Sequence, residues 1–465
     1  MPRPSRRATV SAAALLAALL AAPATSLAPA PAPGRAVASY DGPVVLVPGT
    51  SLVRALPGLA MAVVEGSPSA LARLARADGV RGLAPDGPLQ LTGRASTGTA
   101  LPASYGLGGQ AGKPGAGSGV RVAVLDTGVS DTAALDRRSG RLRDAFDAGG
   151  GARPFSDGYG HGTFMASLIA GGPVDGSSGL PVGVAPGATV LVVRVAAPDG
   201  ATSLSQVVAG LDWVATHASQ VDVANLSFSH TRPGQAYGAD PLTDAVERVR
   251  DRGVAVVVSA GNDPSRVGDP GFTPRAITVG AAELQDGARV AAFSGSATVA
   301  GVAKPDVVAN GVAVLGVLPA GSVIAQASPS ARSTGDLWRG SGTSQAAAVT
   351  SGVVALLLDR RPDATPAEVK AVLRSSARPL VGSRDGAGLL RVPRGRTAGA
   401  DEPSAGPAGG DPTGEAGFDA NSWSANSWSA NSWSANSWSA NSWSANSWSA
   451  NSWSANSWSS WSAAP

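Results

Sequence analysis

Five short, β-branched and almost uninterrupted apolar runs lie at 121–125, 189–195, 221–228, 254–259 and 276–279. A strand that is apolar on both faces must be covered on both, and sheets buried in this way are nearly always parallel. Parallel neighbours need crossover connections. Segments with helical spacing at 161–170, 204–218 and 241–252 fall between the runs, and another at 344–359 follows them. These features restrict the chain to an α/β fold, a doubly wound and mostly parallel sheet with helices on both faces. One more helix is expected over 366–375, with Thr365 as its cap.

The flanking sequence is of a different kind. Arg3, Arg6 and Arg7 precede an apolar run over 10–22 that Pro23 ends, and Ser26-Leu27-Ala28 offers a cleavage site. Residues 1–28 therefore read as an export signal, too short and alanine-rich to be a comfortable membrane span. Apolar runs at 44–47, 59–64 and 80–83 predict strands, and Leu71 and Leu74 predict a short helix within 67–77. They form a small α/β unit, followed by a Gly/Ser/Thr/Gln-rich stretch over 92–119. Residues 394–419 are a Pro/Gly/Asp/Glu linker. Eight copies of Ala-Asn-Ser-Trp-Ser then fill 420–459. A period of five spreads tryptophan over both faces of a strand and all round a helix, so the 420–465 tail reads as disordered low complexity.

Composition narrows the chemistry. The chain has no cysteine, which excludes disulfides, thiolate metal sites and a cysteine nucleophile. Its three histidines include no His-Glu-x-x-His pair, which argues against a catalytic zinc. A net charge of +3, with no basic block interleaved with aromatics, argues against nucleic acid as a partner.

Three loops carry groups suited to chemistry. Asp126 ends the run Arg-Val-Ala-Val-Leu, where ligands of open α/β sheets gather, although Asp before Thr-Gly also suits a turn. His161 stands between glycines at a helix start in Gly-His-Gly-Thr-Phe-Met-Ala-Ser. Ser344 opens an apolar helix in Gly-Ser-Gly-Thr-Ser-Gln-Ala-Ala-Ala, as a cap or as a group served by the helix N-terminus. Asn262 follows the run Val-Val-Val-Ser-Ala-Gly.

Taken together and in this chain order, the four resemble the subtilisin-like serine proteases over residues 101–393. The resemblance implies a secreted endopeptidase with Ser344 as nucleophile, His161 as general base and then acid, and Asp126 as its orienting carboxylate. Asn262 and the Ser344 backbone N–H would form the oxyanion hole. Leu226, Ser227 and Phe228 resemble the substrate-pairing edge, and Ala260 and Gly261 the opposing wall. Residues 29–100 resemble an inhibitory propeptide. The expected partners are peptide or protein substrates, the chain's own propeptide and, through the tail, cell-surface polymer or other copies. No cofactor is implied for catalysis, and structural calcium is left open. Phe164, Ala348, Val349 and Ser229 depart from the family pattern and put substrate preference in question. His230 is expected to be a solvated loop residue and His217 a surface residue at a helix end.

Two rivals come from other classes. Asp-Thr-Gly also suits an aspartic protease, but no second copy supplies the partner carboxylate. A catalytically silent scaffold that binds surfaces through the tryptophan tail would have no need of all four residues.

Overall fold

The computed structural model describes residues 34–91, 105, 107, 109–229, 240–284, 287–299, 301–381 and 384–392. The expected export signal, the 394–419 linker, the 420–465 tail and His230 lie outside the described residues.

The early unit is a four-stranded antiparallel sheet, β1 (Gly34–Tyr40), β2 (Thr50–Leu56), β3 (Met61–Gly66) and β4 (Val80–Pro85), in the order β2-β3-β1-β4. Helix α1 (Pro68–Leu74) starts from Ser67, whose hydroxyl accepts the Ala70 N–H. It packs with Leu71 and Leu74 over Ala36, Ala38, Tyr40, Ala62, Val64 and Leu83. The expected strand at 44–47 does not form. Both backbone groups of Val47 are engaged by Thr50 across the Pro48-Gly49 turn, and Val44 and Leu46 are exposed. The ladder comes instead from β1 and β2. Their small or mixed residues gave no apolar run to find, and the alanines of β1 are small because α1 lies directly on them.

A two-residue strand, β5 (Gln90–Leu91), ends this unit. The larger body then runs β6 (Arg121–Asp126), β7 (Leu142–Asp147), α2 (His161–Ala170), β8 (Thr189–Arg194), α3 (Leu204–Thr216), β9 (Val223–Leu226), β10 (Phe228–Ser229), α4 (Pro241–Asp251) and β11 (Ala255–Ser259). It continues through β12 (Ile277–Glu283), β13 (Arg289–Val290), a hairpin of β14 (Ala297–Val299) and β15 (Val302–Lys304), and β16 (Val307–Asn310). It closes with β17 (Val314–Val317), α5 (Val323–Ala327), β18 (Leu337–Gly340), α6 (Thr343–Arg360) and α7 (Pro366–Ser376).

The main sheet has the order β13-β12-β11-β9-β6-β8-β7, with β16 also paired to β12. Every pairing in it is parallel except β12 with β13. The expected α/β architecture is therefore present. Helix α6 lies against β9, β11, β12 and β16 and beside α2, and is buried from Thr343 to Leu358. Gly352 lets the segment between α2 and β8 pass close to α6, since a Cβ there would stand 2.6 Å from the Val184 Cβ. The missed strand β7 is an edge with half its side chains polar, so it lacks an apolar run. Thr365 caps α7 as expected, with Glu368 completing a reciprocal box. Among the described residues no helix is long and apolar enough to cross a membrane.

Candidate active site

Each of the expected site residues sits near the start or end of an element. Asp126 is the last residue of β6, a strand flanked on both sides in the sheet, so its carboxylate emerges at the carboxyl edge with almost no exposure. His161 is the first residue of α2, and Gly162 after it is packed against the Asp126 loop: a Cβ there would stand 2.2 Å from the Gly128 carbonyl oxygen and 3.0 Å from the Asp126 Cβ. Only glycine allows this approach. It brings His161 Nδ1 within 2.8 and 2.9 Å of the two Asp126 oxygens. The carboxylate cannot donate, so Nδ1 carries the proton and Nε2 is left as the basic nitrogen. The Thr127 N–H also donates to Asp126 Oδ1, at 2.8 Å.

Ser344 lies in the first turn of α6 and is wholly buried. Its hydroxyl donates to the Ser227 carbonyl at 2.8 Å, and the Ser227 hydroxyl donates back to the Ser344 carbonyl at 3.4 Å. This clasp explains why the expected strand 221–228 divides. Ser227 is engaged by α6, and beyond it β10 leaves the main sheet to pair with β5. Below the clasp, Asn225 donates to the Ser227 hydroxyl at 2.8 Å and accepts from Ser351 at 2.9 Å. Sequence reasoning passed over Asn225, a single polar residue in an apolar run, and Ser351, which follows Thr350 inside an apolar helix.

Asn262 follows β11. Its Oδ1 accepts both the backbone N–H and the hydroxyl of Thr343 at 3.0 Å, which reserves the amide N–H groups for something else. Thr343 also accepts the Gly261 N–H at 3.1 Å. Thr343, also missed, thus ties the Asn262 loop to the first turn of α6 beside Ser344. Ser229 is buried, with its hydroxyl 3.2 Å from where a Gly261 Cβ would stand, so Phe228-Ser229 and Ala260-Gly261 face each other as close walls.

The early unit covers this region. β5 runs antiparallel to β10, Leu91 opposite Phe228 and Gln90 opposite Ser229. The sheet face opposite α1 joins the main core through Val37, Leu56, Leu59, Met61, Val63 and Ala84. Asp86 receives the Ser205 N–H and hydroxyl at 2.7 and 2.6 Å at the start of α3, and Asp212 accepts the Leu59 N–H at 3.1 Å. Burial pushes the Asp212 carboxyl above the usual range. His217 ends α3 and stacks on Trp213 at 4.4 Å between ring centroids. Among the described residues no group of three or more His, Cys, Asp or Glu is placed to hold a metal ion.

A model of the subtilase family matches residues 117–404. Serine protease AprX of Bacillus subtilis is 32% identical over 280 residues, covering 56% of this chain and 61% of that protein. Subtilisin E of the same organism is 32% identical over 283 residues, covering 59% of this chain and 65% of its own length. The chain thus spans less than two thirds of these relatives. Among solved structures, fervidolysin from Fervidobacterium pennivorans, described as a keratinolytic enzyme related to subtilisin, superposes with a TM-score of 0.60 at 25% identity, covering 77% of this chain and 60% of that one.

Proposed function

Because the chain belongs to the subtilase family, we propose that it is a serine endopeptidase acting through an acyl-enzyme on Ser344. The observation that carries the reading is the buried contact of His161 Nδ1 with Asp126 at 2.8 Å, which sets the imidazole tautomer a general base requires. Ser344 Oγ leaves the Ser227 carbonyl to attack the peptide carbon, and His161 takes its proton. The same proton then passes to the leaving amine, Asp126 holding the imidazolium in the interval. The Asn262 amide and the Ser344 N–H receive the oxyanion. Water repeats the cycle on the acyl ester. No cofactor enters these steps.

The substrate would lie as a strand along Phe228-Ser229, the edge on which β5 rests. This supports reading the early unit as an inhibitory propeptide that is cut within 92–119, beyond β5, when the enzyme matures. Export of the chain rests on the 1–28 segment. For the tail we favour weak multivalent attachment to extracellular polymer or to other copies, each tryptophan adding a feeble contact. A serine-directed phosphonate tests the central reading. It should label Ser344 in the wild-type chain and fail on His161→Ala, and Ser344→Ala should accumulate uncut. Absence of both labelling and peptide hydrolysis in the wild-type chain would sink it.

A further inference from the structure

Asp157 takes no part in the steps above, yet it is among the most heavily engaged side chains near them. It is 2% exposed. Its Oδ1 accepts the Thr127 hydroxyl and the Gly160 N–H, each at 2.7 Å. Its Oδ2 accepts the Thr163 N–H at 2.8 Å and the Thr163 hydroxyl at 2.7 Å. Its own N–H donates to the Ser130 hydroxyl at 2.9 Å, and the Ser130 N–H donates to Thr163 Oγ1 at 3.1 Å. One carboxylate thus joins the loop after Asp126 to the helix start that bears His161.

Thr127 shows what this does for the reaction. Its hydroxyl has one hydrogen and two carboxylates within reach, Asp157 Oδ1 at 2.7 Å and Asp126 Oδ1 at 3.3 Å. The oxygen also accepts the Gly162 N–H at 3.0 Å. The hydrogen goes to the shorter contact, and among the described residues Asp126 is left with the Thr127 and His161 N–H donors. A further donor on Asp126 would spread its charge and weaken its hold on an imidazolium.

The geometry points to Asp157 as a positioning residue that draws the Thr127 hydroxyl hydrogen away from Asp126, keeping that carboxylate electron-rich, while fixing the helix start beneath His161. This rests on the serine-protease reading and extends it to a residue outside the triad. The charged groups facing Asp157 are Asp126 and His161 across Thr127 and, from β8, Arg194, itself paired with Asp147. Burial pushes the Asp157 carboxyl up, and the Gly160, Thr163 and Thr127 donors oppose this. A network of this kind is tested by changing one hydrogen at a time.

Asp157→Asn is nearly isosteric, and where its amide nitrogen takes the Oδ1 place it donates to Thr127 and turns the hydroxyl to Asp126. In the full chain, with active sites counted by phosphonate, we expect kcat to fall about tenfold with KM little changed. The acid limb of the kcat/KM profile should move to lower pH. Thr163→Val removes a partner on the side away from Asp126, and should lower Tm without moving the acid limb. If Asp157→Asn does not fold, Thr127→Val tests the same link from the other side: it removes the hydroxyl hydrogen altogether, Asp126 gains no donor, and the acid limb should stay at its wild-type pH. Wild-type kcat and acid limb in Asp157→Asn, or an acid limb moved to higher pH in Thr127→Val, would overturn the proposal. So would an equal acid-limb shift in Thr163→Val. A wild-type chain that hydrolyses no peptide would instead count against the protease reading, so the two failures are distinguishable.

Discussion

The helix that carries His161 and the helix that carries Ser344 both begin at a glycine with no side chain to cap it, Gly160 and Gly342. The two starts are treated in opposite ways. At α2 the carboxylate of Asp157 receives the Gly160 and Thr163 N–H groups on either side of His161. At α6 the first turn holds no acidic residue, and the Thr343 N–H goes to the neutral amide of Asn262. A helix N-terminus is a partial positive charge. In the proposed reaction the imidazole of His161 becomes a cation; beside it this charge is a handicap, and a buried carboxylate offsets it. In the same proposed reaction the attack of Ser344 creates an oxyanion; there the helix start is an asset, and no carboxylate among the described residues of its first turn competes for it. The same backbone device serves two charges of opposite sign because its cap is supplied in one place and withheld in the other.

The comparison breaks first at its two centres. Ser344→Ala and His161→Ala should each lower kcat on a chromogenic peptide by about 10⁴–10⁶, and the double variant little further, as groups acting as a unit do. Clearly additive losses would mean that the two helix starts do not serve one reaction. Next, Asn262→Ala leaves the α6 start without its neutral neighbour and should cost about 10²–10³ in kcat with a small change in KM, the loss seen when a subtilisin loses its oxyanion asparagine.

A sharper test puts a carboxyl where the structure has none. Gln345 follows Ser344, is fully buried, and neither polar atom of its amide has a hydrogen-bond partner among the described residues. Gln345→Glu preserves shape, and at the third helical position an acid ordinarily favours a helix. Turnover should fall about tenfold, and the loss should deepen as pH rises and the buried carboxyl ionises. Gln345→Met should show no such deepening. Identical pH profiles for the two variants would show that the α6 start is indifferent to charge.

The sequence made these starts legible unequally. Asp126, His161, Asn262 and Ser344 each stand within two residues of a glycine at the edge of an apolar segment, a pattern readable without coordinates, and the parallel sheet followed from the runs themselves. Asp157, Thr343, Asn225 and Ser351 work through partners that are distant in sequence or through hydroxyl directions, and neither leaves a periodicity. The early unit was misread at 44–47 for a related reason. A bulky apolar run marks burial only when its backbone is also available to a ladder, and Val47 is held by Thr50.

A third buried charge cluster serves as a control, because it lies outside the reaction and should touch stability alone. The Asp306 carboxylate receives Lys304 at 2.9 Å, Lys370 at 3.1 Å and Arg374 at 3.1 Å, so two buried ammonium groups share one buried carboxylate. Lys370 also donates to the Pro274 and Ala276 carbonyls. Burial first, and the charge of Lys304 second, push Lys370 down to about 7 from its ordinary 10.5. Between those values the unfolded chain holds a proton that the folded chain has released, so stability rises with pH across the window and falls back as pH drops toward 7. The slope from this one group approaches about 1.4 kcal/mol per pH unit at most. Tyr40, pushed up to about 12 by burial, takes stability away from about pH 9 upward, as its unfolded form ionises, and leaves the window clear below that. Lys370→Met should therefore flatten the rise in the denaturation midpoint between pH 7 and 10, measured on a Ser344→Ala background so that autolysis does not intervene. With Ser344 restored, kcat should equal that of the parent. A changed kcat would mean that buried charge far from both helix starts reaches the reaction, and the contrast between them would then be only part of a field spread through the whole domain.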